Sequence, residues 1–122
     1  MSSPPSLVEL LYFDGCPSHE RLLPVVRRLA RDAGAHVVLR RIGSLEEAEA
    51  ERFLGSPTVR VDGVDVDAGA AAREDFGLKC RIYRFGGEQS ATPPEALIRA
   101  ALGARPRLRT PRSSASAEGS RR

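Results

Sequence analysis

Two hydrophobic periods alternate along this chain. Residues 7–13, Leu7-Val8-Glu9-Leu10-Leu11-Tyr12-Phe13, form a near-continuous apolar run of strand length, and Val37-Val38-Leu39-Arg40-Arg41-Ile42 forms a second. Between them, residues 17–33 carry apolar positions at helical spacing, with Gly34 as the stop. This is a β-α-β unit, so its strands are expected to be parallel with a right-handed crossover. Pro24 interrupts the helix; an interior proline removes one backbone hydrogen bond and crowds the preceding turn, which predicts a kink at a cost of about 3 kcal/mol.

Ser44-Leu45-Glu46-Glu47 has the pattern of a capping box and predicts a helix running to Leu54 and stopping at Gly55. Next, Asp62-Gly63 sits between two alternating runs in 59–66, a strong hairpin signal. Thr92-Pro93-Pro94-Glu95 opens a short closing helix over 96–102, ended by Gly103. The order β-α-β-α-β-β-α predicts an α/β sandwich with a four-stranded mixed sheet. Within 67–91, the alternations Cys80-Ile82 and Tyr83-Phe85 predict a further short strand or an ordered flap. The hairpin returns to the end of the sheet where the first strand stops, so this insertion should emerge on the Cys16 side, with Cys80 near Cys16.

A length of 122 residues allows one domain, expected over 7–102, with roughly two-thirds of its unfolded surface buried on folding. The formal charge of +3 conceals an uneven distribution. Residues 103–122 hold six arginines and one acid, leaving 13 basic and 15 acidic side chains in 1–102, a net of −2. That tail and residues 1–6 are expected to be disordered, the tail because its Pro, Ser, Gly and Arg cannot bury enough surface to offset ordering entropy. Clustered arginines can gain from counterion release on nucleic acid, but the tail lacks aromatics for base stacking, so a solubilising extension is the expectation. Residues 1–6 have no basic segment followed by an apolar one, and no apolar run is long enough for a bilayer; a cytoplasmic protein with no membrane partner is expected. In that reducing compartment the two cysteines are expected to be reactive, metal-binding or inert rather than a permanent staple.

Cys16 lies where the first strand gives way to the first helix. Its sulfur is expected to meet the unsatisfied N–H groups of the helix's first turn, which favour thiolate over thiol. Pro17 opens the helix at a position where its missing N–H costs nothing. His19, one turn on, is placed to stabilise a thiolate or protonate a leaving sulfur, or else is an exposed first-turn residue. Asp14 is a proton shuttle or ordinary turn chemistry with Gly15. Cys80 is a resolving thiol, a soft-metal ligand or a packed strand residue. Asp14, Cys16, His19 and Cys80 could together suit zinc or a softer metal, but a second Cys or His pair at ligand spacing is missing; no metal and no cofactor are assigned.

Cys16 at a helix start, Pro24 eight residues later, and Gly55-Ser56-Pro57-Thr58 before an alternating strand pair together resemble the thioredoxin superfamily. The resemblance spans roughly 7–102, with an insertion before the last helix, and implies a three-layer sandwich and a cis Pro57. It also implies that the Ser56-Pro57-Thr58 backbone lies across from Cys16 and, with Pro17, binds an extended substrate. His19 stands where thioredoxins carry their second cysteine, so a disulfide cycle within that turn is impossible. Cys16 would then attack a protein or small-molecule disulfide, and Cys80 or an external thiol would resolve the product. Phe13-Asp14-Gly15-Cys16-Pro17 and Gly77-Leu78-Lys79-Cys80-Arg81-Ile82-Tyr83 are also similar to short bacterial thioredoxin-like proteins often labelled alkylmercury lyase. That resemblance implies that Cys16, Cys80 and Asp14 act on a carbon–mercury bond. A non-enzymatic binding module using the Pro57 face is the third expectation.

Overall fold

The computed structural model describes residues 6–104. Four strands form one mixed sheet: β1 (Leu7–Tyr12), β2 (His36–Arg41), β3 (Thr58–Val61) and β4 (Val64–Asp65), in the order β2-β1-β3-β4. β1 runs parallel to β2, from Leu7 opposite His36 to Tyr12 opposite Arg41, and antiparallel to β3, from Val8 opposite Val61 to Leu11 opposite Thr58. The β3–β4 turn places Asp62 at φ 52° and Gly63 at φ 86°, the paired left-handed conformation that an Asp-Gly dipeptide suits. The Asp62 carboxylate accepts hydrogen bonds from Ser6 Oγ and the Leu7 N–H, both at 2.8 Å, tying this turn to the start of β1.

Three helices complete the α/β architecture: α1 (Ser18–Ala33), α2 (Leu45–Ala50) and α3 (Glu95–Ala104). Because successive residues of a strand face opposite sides, β1 serves two cores. Val8 and Leu10 join Val59, Val61, Leu22, Val26, Leu29, Ile98 and Leu102 under α1 and α3, whereas Leu11 joins Ile42, Ala48 and Phe53 under α2. α1 runs unbroken through Pro24, which lies on its exposed face, so the carbonyl freed at Glu20 is also on the solvent side.

The helix ends depart from the sequence expectations in explicable ways. α1 begins at Ser18, with Pro17 just outside it, and closes on left-handed Gly34. α2 stops at Ala50 instead of Leu54: Arg52 adopts φ 55°, and the Arg52 and Phe53 N–H groups bond back to Glu49 and Ala48. This closure turns Phe53 into the core, which outweighs continuing the helix. Arg52 takes the left-handed position usual for a C-terminal glycine, and Arg60 donates to the Glu51 carbonyl at 2.5 Å. At the N-terminus of α2, Ser44 Oγ accepts from the Glu47 N–H, while Glu47 reaches the Gly43 N–H rather than that of Ser44. α3 passes through Gly103 instead of ending there.

The insertion holds more structure than one strand. A 3₁₀ turn (Ala68–Ala72) follows β4, and β5 (Tyr83–Phe85) pairs with β6 (Glu88–Ser90) as a separate two-stranded sheet. Neither alternation marks one buried face: Arg81 and Tyr83 are buried, while Cys80, Ile82 and Phe85 are exposed. Ser6, expected to be disordered, is buried at 2% exposure; the remaining residues of both terminal segments, Gly103 and Ala104 apart, lie outside the described residues. Among the described residues, no helix is long and apolar enough to cross a membrane.

Leu10 is fully buried at the centre of the larger core. Leu10→Ala is expected to lower unfolding free energy by about 2–5 kcal/mol, measured by urea denaturation, since it removes apolar burial and leaves a cavity.

Candidate functional site

β1 ends at Tyr12, and the turn through Asp14 and Gly15 delivers Cys16 to the start of α1. Cys16 is 1% exposed, with its N–H bonded to the Phe13 carbonyl. Its Sγ lies 3.7 Å from Ser18 Oγ and 3.6 Å from the Ser56 carbonyl oxygen. Cys16 and Cys80 pair as a disulfide, their Cα atoms 5.7 Å apart across a sequence separation of 64. The proximity expected from topology is thus present.

The approach of Cys80 is built by backbone. The Ser56 N–H donates to the Lys79 carbonyl and the Arg81 N–H to the Ser56 carbonyl, both at 2.8 Å, forming an isolated parallel bridge between Ser56 and Cys80. Gly55 makes this possible: at φ 126° it adopts a conformation that L side chains rarely take, and a Cβ there would stand 2.9 Å from the Lys79 carbonyl oxygen. The Ser56–Pro57 peptide bond is cis.

Arg81 anchors the same segment from below, with its side chain 1% exposed. Nη1 donates to Thr58 Oγ1 at 3.0 Å and Asp65 Oδ2 at 2.8 Å, while Nη2 donates to Asp65 Oδ1 at 3.1 Å. Burial opposes the charge, but the hydrogen bonds and field of Asp65, with the fields of Tyr83 and Asp67, together more than offset it, and the guanidinium is held above its ordinary pKa. Thr58 Oγ1 in turn donates to the Gly55 carbonyl at 2.7 Å. Tyr83, whose ring lies 4.5 Å from the Arg81 guanidinium carbon, donates its hydroxyl to the Pro57 carbonyl at 2.5 Å. Burial pushes the Tyr83 phenol well above its ordinary value, Arg81 opposes this, and Asp65 and Asp67 add to it.

The sequence-predicted residues divide into two groups. Cys16, Cys80, Ser56, Pro57 and Thr58 come together, with Pro17 at the edge and exposed. The backbone expected to receive an extended substrate is already engaged, since Ser56 pairs with residues 79–81 and the Pro57 carbonyl with Tyr83. His19 lies beside Cys16, but its Nδ1 lies 3.1 Å from the Cys16 carbonyl oxygen, a contact that is a hydrogen bond when Nδ1 carries a proton, and its ring stacks on Tyr12 at 4.0 Å. This fixes the imidazole through the backbone of Cys16. Asp14 points to the surface, where Arg41 Nε donates to it at 2.8 Å. Among the described residues, no group of three or more His, Cys, Asp or Glu could hold a metal ion.

Sequence reasoning missed Ser18, Arg81, Asp65 and Tyr83. Arg81 and Tyr83 share a parity that marks one face of an extended segment, but an arginine on that face signals solvent, not core. No protein-family model, curated protein or solved structure matches this chain.

Removing Asp65 would leave the Arg81 charge buried without its main partner. Asp65→Ala is expected to cost about 3–5 kcal/mol of stability in urea denaturation. Tyr83 gives a pH signature. With its folded pKa raised, its contribution is fully present below the ordinary tyrosine pKa of about 10 and is lost as pH rises beyond it. Tyr83→Phe, which deprives the Pro57 carbonyl of its donor, is expected to cost about 1–3 kcal/mol at neutral pH. The stability gap between wild type and variant should narrow above pH of about 10 in paired denaturation curves.

Proposed function

We propose that this protein is a thioredoxin-like thiol–disulfide oxidoreductase whose redox centre is the Cys16–Cys80 pair. The observation that carries this reading is the juxtaposition itself: one cysteine buried at the mouth of α1, the other exposed on the segment bridged to Ser56. The Ser18 hydroxyl, 3.7 Å from Cys16 Sγ, and the place of Cys16 just before the positive end of α1 support Cys16 as the leaving sulfur. Reduction would leave the thiols within reach, because the Ser56 bridge and Arg81 hold Cys80 independently of the sulfur–sulfur bond.

The strand order β2-β1-β3-β4, the antiparallel β3 and the position of Gly55-Ser56-Pro57-Thr58 facing Cys16 support a thioredoxin-like topology. A cytoplasmic setting accords with a pair that cycles rather than a permanent crosslink. The alkylmercury lyase-like reading draws on the same adjacent sulfurs, but Asp14, its proton donor, is engaged by Arg41. A binding module at the Pro57 face has less support, since the Ser56 N–H and carbonyl and the Pro57 carbonyl are used within the chain.

Equilibration in glutathione buffers, followed by intact mass, tests the reading together with turnover of a small disulfide substrate. The pair is expected to titrate between about −270 and −120 mV, the span of exchanging protein dithiols. Cys16→Ser and Cys80→Ser should each reduce turnover by at least about 100-fold. A pair that stays oxidised below about −300 mV and supports no turnover would falsify the proposal in favour of a structural crosslink.

A further inference from the structure

Resting on that reading, we infer that Cys80 is the sulfur that exchanges with the external partner, that Cys16 is the resolving sulfur, and that the partner is a low-molecular-weight thiol or its disulfide. This reverses the order expected from a cysteine at a helix start.

Substitution at a disulfide proceeds along the sulfur–sulfur axis, with the incoming thiolate opposite the departing sulfur. Attack on Cys16 would have to approach from the side away from Cys80, yet Cys16 is 1% exposed and packed beneath Ser18 and the Ser56 carbonyl. Cys80 is exposed. Attack there expels the Cys16 thiolate, the sulfur that lies beside the Ser18 hydroxyl and the first turn of α1. The arrangement therefore joins the accessible electrophile to a leaving sulfur that has a hydroxyl donor 3.7 Å away.

In the oxidising direction, a small thiolate attacks Cys80 Sγ, forming the external S–Cys80 bond as the Cys16–Cys80 bond breaks and Cys16 leaves as thiolate. A second small thiolate attacks the external sulfur of the mixed disulfide, producing the small disulfide and a Cys80 thiolate; both protein thiolates take protons from water as their pKa values dictate. Two electrons pass from two small thiols to the protein disulfide. In reverse, the Cys80 thiolate opens the small disulfide and releases one small thiolate. Cys16 then attacks Cys80 Sγ, releasing the second and restoring the internal bond.

The size of the partner follows from the surrounding backbone. An extended polypeptide would need backbone groups beside the disulfide, but the Ser56 N–H and carbonyl are bonded to Lys79 and Arg81, and the Pro57 carbonyl to Tyr83. Arg81, buried and paired with Asp65, keeps that segment in place. What remains open is the exposed Cys80 between exposed Leu78 and Ile82, a site reached by a small molecule without displacing the chain.

The test uses the full chain. Oxidised wild-type protein is mixed with reduced glutathione, quenched with acid during the reaction, and peptide-mapped by mass. The glutathione adduct is expected on the Cys80 peptide; an adduct on the Cys16 peptide overturns the inference while leaving the Cys16–Cys80 redox centre standing. In parallel, the reduced single variants meet oxidised glutathione. Cys16→Ser should be modified at Cys80 at least about 100-fold faster than Cys80→Ser is modified at Cys16, with circular dichroism confirming that both are folded. Equal or reversed rates overturn the order of attack. A reduced, unfolded polypeptide should reduce the wild-type disulfide at least about 10-fold more slowly than glutathione at equal thiol concentration, and comparable rates overturn the assignment to small partners.

Discussion

The buried guanidinium of Arg81 is the constraint around which the functional end of this molecule is arranged. A charge taken out of water costs several kcal/mol unless it is paired and its donors are satisfied. Asp65 at the end of β4 supplies the charge, Thr58 at the start of β3 a hydroxyl, and Asp67 a more distant carboxylate at 3.5 Å. Pairing both terminal nitrogens in this way, with Nε alone left without a hydrogen-bond partner, draws the hairpin, the 3₁₀ turn and the segment before β5 to one point. Cys80, one residue before Arg81, goes with them.

This anchoring bears directly on chemistry. A dithiol that separates on reduction must search for its partner again, whereas one held in place keeps a high effective concentration in both redox states. Here the Ser56 bridge fixes the backbone of Cys80, Gly55 allows the close approach, and Tyr83 clamps the Pro57 carbonyl alongside. The same contacts consume the backbone groups that would otherwise pair with an incoming strand. Fixing Cys80 from within the chain therefore narrows what can pair with the backbone beside the disulfide.

The larger scaffold supplies the other half of the pair. Val8 and Leu10 commit β1 to the core under α1 and α3, and Leu11 commits its opposite face to Phe53 and Ile42. With both faces of β1 covered, the turn at Asp14 and Gly15 has little choice of where to release the chain. Cys16 consequently lies just before the helix start yet is enclosed, with the Ser18 hydroxyl and the Ser56 carbonyl beside its sulfur, behind the accessible Cys80.

Much of the scaffold was legible in sequence because it rests on local periodicity and turn chemistry. The apolar runs specified β1 and β2, Asp62-Gly63 specified the hairpin, and the Gly34 stop and Ser44 cap marked helix boundaries within a few residues. Topology from those elements was enough to bring Cys80 toward Cys16. Tertiary structure alone decided the early end of α2, where Phe53 gains more from the core than a further helical turn offers. It also decided the phase of residues 80–85, because an arginine enters a core only if a distant carboxylate meets it, and Asp65 is 16 residues away in sequence. Which cysteine is exposed follows from that phase. Alternation predicts that neighbours face opposite sides, but the side that is buried depends on partners that only the folded chain assembles.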